Sequence, residues 1–187
     1  MEFGSQTHNW IWYWNVPDES QLRDILTDVD GIPHNNTVPI GKLRDEVWKR
    51  QLEIGQKLLP GPFVDLLENT KQPFVSSISD TLSTKAAFFD GKLLLVGDGL
   101  SLFRPHVGLS TNQAALHCEL LEKVIKGNMS VSQWEMEVLR YAASTRMYSR
   151  VLGNYGQASL LSFLASVVKY LILIIGQRVS RWIPKFY

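Results

Sequence analysis

Apolar and polar residues alternate through Asn9–Val16, NWIWYWNV, so Trp10, Trp12 and Trp14 share one face of an extended chain. Asn9, Ile11, Tyr13 and Asn15 share the other, and the pattern predicts a β-strand whose indole face is covered by helices or walls a cavity. The spacing then turns helical. PDESQLRDILTDVDG predicts a short helix capped by Asp18 or Ser20, with Leu22, Ile25, Leu26 and Val29 as its apolar stripe and Gly31 as its stop. A loop with two prolines follows. A second helix is predicted near Lys42–Leu59, carrying Leu43, Val47 and Leu52, and Pro62 starts a shorter one through Leu67.

QPFVSSISD reads as a strand, and AAFFDGKLLLV as a hairpin turning at Asp90-Gly91. After a turn-rich stretch from Gly97 to Thr111, one helix is predicted from about Asn112 to Lys126. Another is capped by Ser130 or Ser132, striped by Trp134, Val138, Tyr141 and Met147, and punctuated by Gly153-Asn154-Tyr155-Gly156. Mixed strands followed by helices place the chain in the α/β (α+β) class. Residues 1–8 read as a disordered end, 9–157 as one domain, and 158–187 as an apolar helix with a basic-aromatic tail.

That last helix admits two readings. Ser159, Ser162, Ser166 and Lys169 form a narrow polar stripe on an otherwise apolar cylinder from Ala158 to Ile175. A lysine at mid-span would cost about 2.5–3.5 kcal/mol in a bilayer, so a helix packed on nearly all sides is expected. The alternative is membrane contact, with Arg178, Arg181, Trp182 and Lys185 helping the tail rest on a surface.

Composition narrows the chemistry. A net charge of +1 spread along the chain gives no reason to expect nucleic acid. The lone Cys118 excludes an internal disulfide, and histidines at 8, 34, 106 and 117 have no metal-ligand spacing, so no metal is expected. The opening residues lack the basic and apolar regions of a signal peptide, which points to the cytoplasm.

The sequence Gly97-Asp98, then Pro105-x-x-Gly108, then Ser110-Thr111-Asn112 and an alanine-containing helix resembles the second flavin motif of the FAD-dependent aromatic hydroxylases of the para-hydroxybenzoate hydroxylase type. Arg104-Pro105-His106 is closest to the dihydroxypyridine hydroxylase-like branch, and NWIWYWNVP and PFVSSISD resemble that branch's substrate-binding sheet. The resemblance covers roughly residues 8–150. It implies that Asp98 accepts a hydrogen bond from the flavin ribityl chain. It implies too that Pro105 and Gly108 shape the turn beside the ring, and that Asn112 opens the helix facing the pyrimidine edge. Read without it, Asp98 caps a turn and Asn112 caps the helix. Three positions depart from the family: Gly99 stands for alanine, Ser110 for glycine, and His117 for aspartate.

None of the thirteen glycines forms the GxGxxG unit that holds the pyrophosphate of FAD. No cofactor is therefore expected from this chain alone, and FAD is expected if another chain completes the site. The reading taken forward is a flavin-less cyclase or isomerase of small-molecule, secondary metabolism. It would fold an apolar or aromatic substrate against Trp12, Trp14 and Phe74, with Tyr13, Arg104 and His106 polarising a carbonyl or moving a proton. Two alternatives stay open: the substrate-binding half of a flavin hydroxylase that needs a partner protein, and a non-catalytic pseudoenzyme.

Overall fold

The computed structural model describes residues 9–16 and 18–182, so the expected disorder of residues 1–8 and the end of the basic tail lie outside the described residues. The chain divides into two units, Met1–Ser77 and Ile78–Tyr187, and each is described by itself.

In the first unit Asp18 caps α1 (Glu19–Ile25), accepting hydrogen bonds from the backbone of Ser20 and Gln21. The helix stops well before Gly31. The reason is Asp28, a buried carboxylate that gathers the N–H groups of Asp30 and Ile32 and lies 2.9 Å from His34 Nε2, so a turn around it replaces the last helical turn. Arg44, at the start of α2 (Asp45–Leu58), donates to the Thr27 carbonyl and fastens that turn to the next helix.

Pro62 stands in the first turn of α3 (Gly61–Glu68), as its fixed φ favours. The helices α2 and α3 close on each other at Gly55, where a Cβ would meet the Leu67 side chain at 2.6 Å.

The expected strand over Asn9–Val16 does not form among the described residues: the segment joins no ladder. Its indoles find helices instead of a sheet. The Trp12 ring would lie 3.4 Å from a Cβ at Gly55, and Trp10 Nε1 donates to Thr70 Oγ1 at 3.1 Å beyond α3. Alternation sets which side chains share a face, but a strand also needs a backbone partner, and that is not written in the pattern. QPFVSSISD is likewise reduced to a single antiparallel bridge, Thr37 to Ser76, which covers the fully buried Val38.

The second unit holds two small antiparallel ladders and three long helices. Strand β1 (Thr81–Leu82) pairs with β4 (Ser101–Leu102), and β2 (Ala87–Phe88) pairs with β3 (Leu93–Leu94) in the expected hairpin. Helices α4 (Ser110–Ile125), α5 (Val131–Gln157) and α6 (Leu160–Trp182) complete it. Ser130 caps α5 in a reciprocal box with Gln133. The core is Ala86, Leu100, Leu120, Trp134, Val138 and Ala142. The Glu135 carboxylate accepts the backbone N–H groups of Ala86 and Ala87, at 2.8 and 2.9 Å, and so holds the hairpin on α5.

Two helical expectations are corrected. The glycines at 153 and 156 do not end α5, because Gly153 is buried against another side chain and the helix runs through to Gln157. The final helix is not packed on nearly all sides. One face lies antiparallel along α5, through Tyr170 on Tyr148, Phe163 on Tyr155, and Gln177 donating to the Arg140 carbonyl. Ser166, part of the polar stripe read from the sequence, is buried, while Leu161 and Ile172 are 79% and 65% exposed. Aromatic and polar side chains make the contact with α5, and most of the leucines and isoleucines face out.

Candidate functional site

The Gly97-Asp98-Gly99 sequence forms a single 3-10 turn between β3 and β4, with Gly97 at φ +54°. That conformation suits glycine, which lacks the Cβ that clashes there. The turn is fixed from below: the Gly97 N–H donates to Nδ1 of His117 at 3.0 Å. Nδ1 is therefore the acceptor and Nε2 carries the proton. His117 is completely buried on α4, with its Nε2 lacking a partner among the described residues. The histidine that departs from the family pattern thus anchors the motif turn. Asp98 points its carboxylate to solvent and has no hydrogen-bond partner among the described residues, so it does not cap the turn.

After β4, Pro105–Val107 makes a second 3-10 turn that ends at Gly108 in the left-handed region, φ +61°. Helix α4 then begins at Ser110, two residues before the expected start. Its N-cap is Leu109, which supplies no side-chain bond, so Asn112 is not the cap; it lies exposed in the first turn. The N–H groups of that turn remain available to an acceptor. One turn on, Gln113 is fully buried and donates from Nε2 to the Ser101 carbonyl, tying α4 to β4.

Arg104 leads to residues the sequence reading missed. Its Nε donates to Asp80 at 3.1 Å, and Asp80 is also bound by Arg146 and Arg150 of α5. The Asp80 side chain is only 3% exposed. Burial works to raise its pKa, but the hydrogen bonds from Arg150, Arg146 and Arg104 outweigh it and hold the carboxyl below the usual aspartate range. One carboxylate thus gathers three guanidinium groups. Arg146 and Arg150 share a helix face at i, i+4, which was legible; their pairing with a residue some seventy positions away was not.

His106 sits over Gly153 of α5: a Cβ there would lie 2.8 Å from the imidazole ring and 3.4 Å from Arg104 Nη1. Burial, then the charge on Arg104, lowers the His106 pKa. Burial alone lowers that of His117. Both rings are neutral at pH 7. In the unfolded chain they take up protons near pH 6.5, while the folded protein resists until lower pH. Stability is therefore expected to fall as pH drops below about 6.5. A second loss follows below about 4, where the aspartates of the unfolded chain take up protons while Asp80 and Asp28, held lower in the folded protein, still resist them. Urea unfolding at a series of pH values reads both steps, and a flat profile between pH 7 and 5 contradicts the histidine assignment.

The remaining predicted site residues belong to the first unit. Trp12 and Trp14 form an edge-to-face pair with centroids 5.3 Å apart, Tyr13 is half-buried, and Phe74 is 60% exposed. Among the described residues no group of three or more His, Cys, Asp or Glu is placed to hold a metal. A cleft of about 270 Å³ between α4, α5 and α6 is lined by Leu116, Leu120, Arg140, Tyr141 and Gln177, among others, and by none of the predicted site residues.

Residues 1–80 match the family model described as FAD binding domain-like. The 2,6-dihydroxypyridine 3-monooxygenase of Paenarthrobacter nicotinovorans is 33% identical over 141 residues, 71% of this chain and 34% of that protein. The solved structure of 2,6-dihydroxypyridine-3-hydroxylase from Arthrobacter nicotinovorans superposes with a TM-score of 0.68 at 25% identity, covering 81% of this chain and 40% of that one. The chain carries part of an FAD-dependent hydroxylase fold. It spans about a third of the length of the curated relative, and the matched share is an α/β fragment of mixed helices and small antiparallel ladders. The family model ends before the Gly97–Asn112 motif.

Proposed function

We propose that this chain supplies the ribityl and ring-edge side of a flavin site in an aromatic hydroxylase, with the dinucleotide held by residues outside these 187. The observation that carries the reading is the arrangement of the motif. An unpartnered exposed carboxylate on Asp98 and the uncapped first turn of α4 occur in one short stretch, which bends at Gly97 and Gly108. Asp98 suits a hydroxyl donor such as a ribityl chain. The free N–H groups at Ser110 and Thr111 suit a carbonyl-bearing, electron-rich ring edge. FAD, when bound, supplies the redox chemistry that no side chain here can perform.

The chain's own residues bind and position. The Asp80 cluster fixes Arg104, and through it the Arg104–His106 turn against α5. A neutral His106 is suited to accept or return a proton from a phenolic or pyridinol substrate near pH 7. The relative's name specifies a dihydroxypyridine, and the substrate class proposed here is a small hydroxylated aromatic ring.

The test is a titration of the purified chain with riboflavin and with FAD, followed by flavin fluorescence. Asp98→Ala removes a charge-assisted hydrogen bond and is expected to weaken flavin binding about 10- to 100-fold. Equal affinity in the variant would refute the assignment of Asp98.

A second reading, kept beside the first, is that the fold works without flavin as a cyclase or isomerase within secondary metabolism. Colourless protein that converts a substrate without NAD(P)H or oxygen, and does so equally well as Asp98→Ala, favours this reading over the first.

A further inference from the structure

The outward face of α6 is the largest apolar feature that the flavin motif does not use. It runs from Leu160 and Leu161 through Leu164, Val168 and Ile172 to Ile175, all exposed, and continues to Val179. At about 100° and 1.5 Å per residue these positions form a band roughly a third of the circumference wide and about 30 Å long. Within Leu160–Ser180 the most apolar stretch has a mean hydropathy of 1.9, and 6% of it is buried. Patches of this kind mark surfaces that meet something else.

Charge selects the occupant. Helix α6 contains Lys169, Arg178 and Arg181 and not a single Asp or Glu, and Lys185 follows it in sequence. Lys169 is exposed about 60° round the helix from the band, where its stem can reach back along a nonpolar surface with the ammonium at a polar boundary. A second copy docking through the same face would bring like charges together with no carboxylate on α6 to pair them. An anionic lipid surface offers both an apolar layer and the opposite charge.

Orientation follows from the other face. Phe163, Ser166, Tyr170 and Gln177 are committed to α5, which carries Glu135, Glu137, Arg140, Arg146 and Arg150. Sinking α6 across a bilayer would drag those charges with it. We infer that α6 lies in the plane of an anionic membrane surface with its Leu160–Val179 band down and its basic residues at the headgroups, docking the protein on the membrane without spanning it.

The experiment is flotation of the full 187-residue chain with phosphatidylcholine vesicles, with and without about a third of phosphatidylserine. The chain is expected to float with the anionic vesicles, and about 10-fold less with neutral ones or in high salt. Leu164→Glu together with Ile172→Glu, both at exposed positions, is expected to abolish flotation while the far-UV circular dichroism stays unchanged. Lys169→Glu with Arg178→Glu is expected to remove the preference for anionic vesicles. Three results overturn the inference: protein that stays at the bottom with both vesicles; a dimer in solution that Ile172→Glu dissociates, with no lipid binding; and vesicle-bound protein that resists alkaline carbonate, as a spanning helix does.

Discussion

Asp80→Asn is expected to lower the unfolding free energy of the Ile78–Tyr187 unit by about 3–5 kcal/mol, the usual cost of removing one partner from a buried ion pair. The carboxylate is almost wholly shielded and receives Arg104, Arg146 and Arg150 together. Asparagine keeps the shape but not the charge, so three guanidinium groups face one another with nothing to balance them. The arginines are each about a third exposed and can turn partly to water, which draws the value toward the lower end of that range. Urea denaturation measures the loss. A companion variant separates charge from packing. Asp80→Asn combined with Arg146→Met, which removes one of the stranded cations while keeping a long apolar stem, should recover part of the stability. A loss below about 1 kcal/mol, the range of exposed pairs, would show that the cluster behaves as a surface ion pair.

The second large effect belongs to Gly153→Val. In an exposed helix interior, replacing glycine is favourable or neutral, since glycine costs about 1 kcal/mol against alanine. Here the sign is reversed. The first added carbon would approach the His106 ring to 2.8 Å and Arg104 to 3.4 Å, and the branches of valine add to the overlap. Overpacking of this kind costs about 1–3 kcal/mol, and the ring must leave its place to relieve it. The distinguishing readout is the histidine itself. His106 is held at a lowered pKa by burial first and by Arg104 second, so a displaced ring should titrate closer to the ordinary value near 6.5. NMR titration of the His106 ring protons detects this shift. A variant as stable as the parent, with an unmoved His106 titration, would mean that the glycine is not there to seat the ring.

Much of the local structure was readable. Asp18 and Ser130 announced two helix starts, Pro62 a third, and Asp90-Gly91 the hairpin, because caps and turns are satisfied by residues a few positions apart. The bends at Gly97 and Gly108 were readable for the same reason, whereas α4 starts at Ser110 and not at Asn112, and the Gly97 turn is held by the distant His117. Where the reading failed, the deciding partner was distant. Asp28 shortened α1 through a loop, Trp12 met α2 instead of a neighbouring strand, and Gly153 served His106 instead of ending a helix. The buried face of α5 shows the limit most plainly. It begins with Trp134 and Val138, as periodicity suggests, then continues as Ala142, Thr145, Ser149 and Gly153, a row of small residues that no hydrophobic pattern marks.

The sequence by itself determined the caps of α1 and α5, the proline start of α3 and the Asp90-Gly91 hairpin, since each depends on backbone conformation and hydrogen bonds that close within a few residues. Only the tertiary structure decided that Asp80 gathers three arginines, that His117 secures the motif turn, and that α6 turns its leucines and isoleucines outward. Those outcomes depend on which groups meet across long stretches of chain, where burial and charge are shared between elements whose pairing no local pattern encodes.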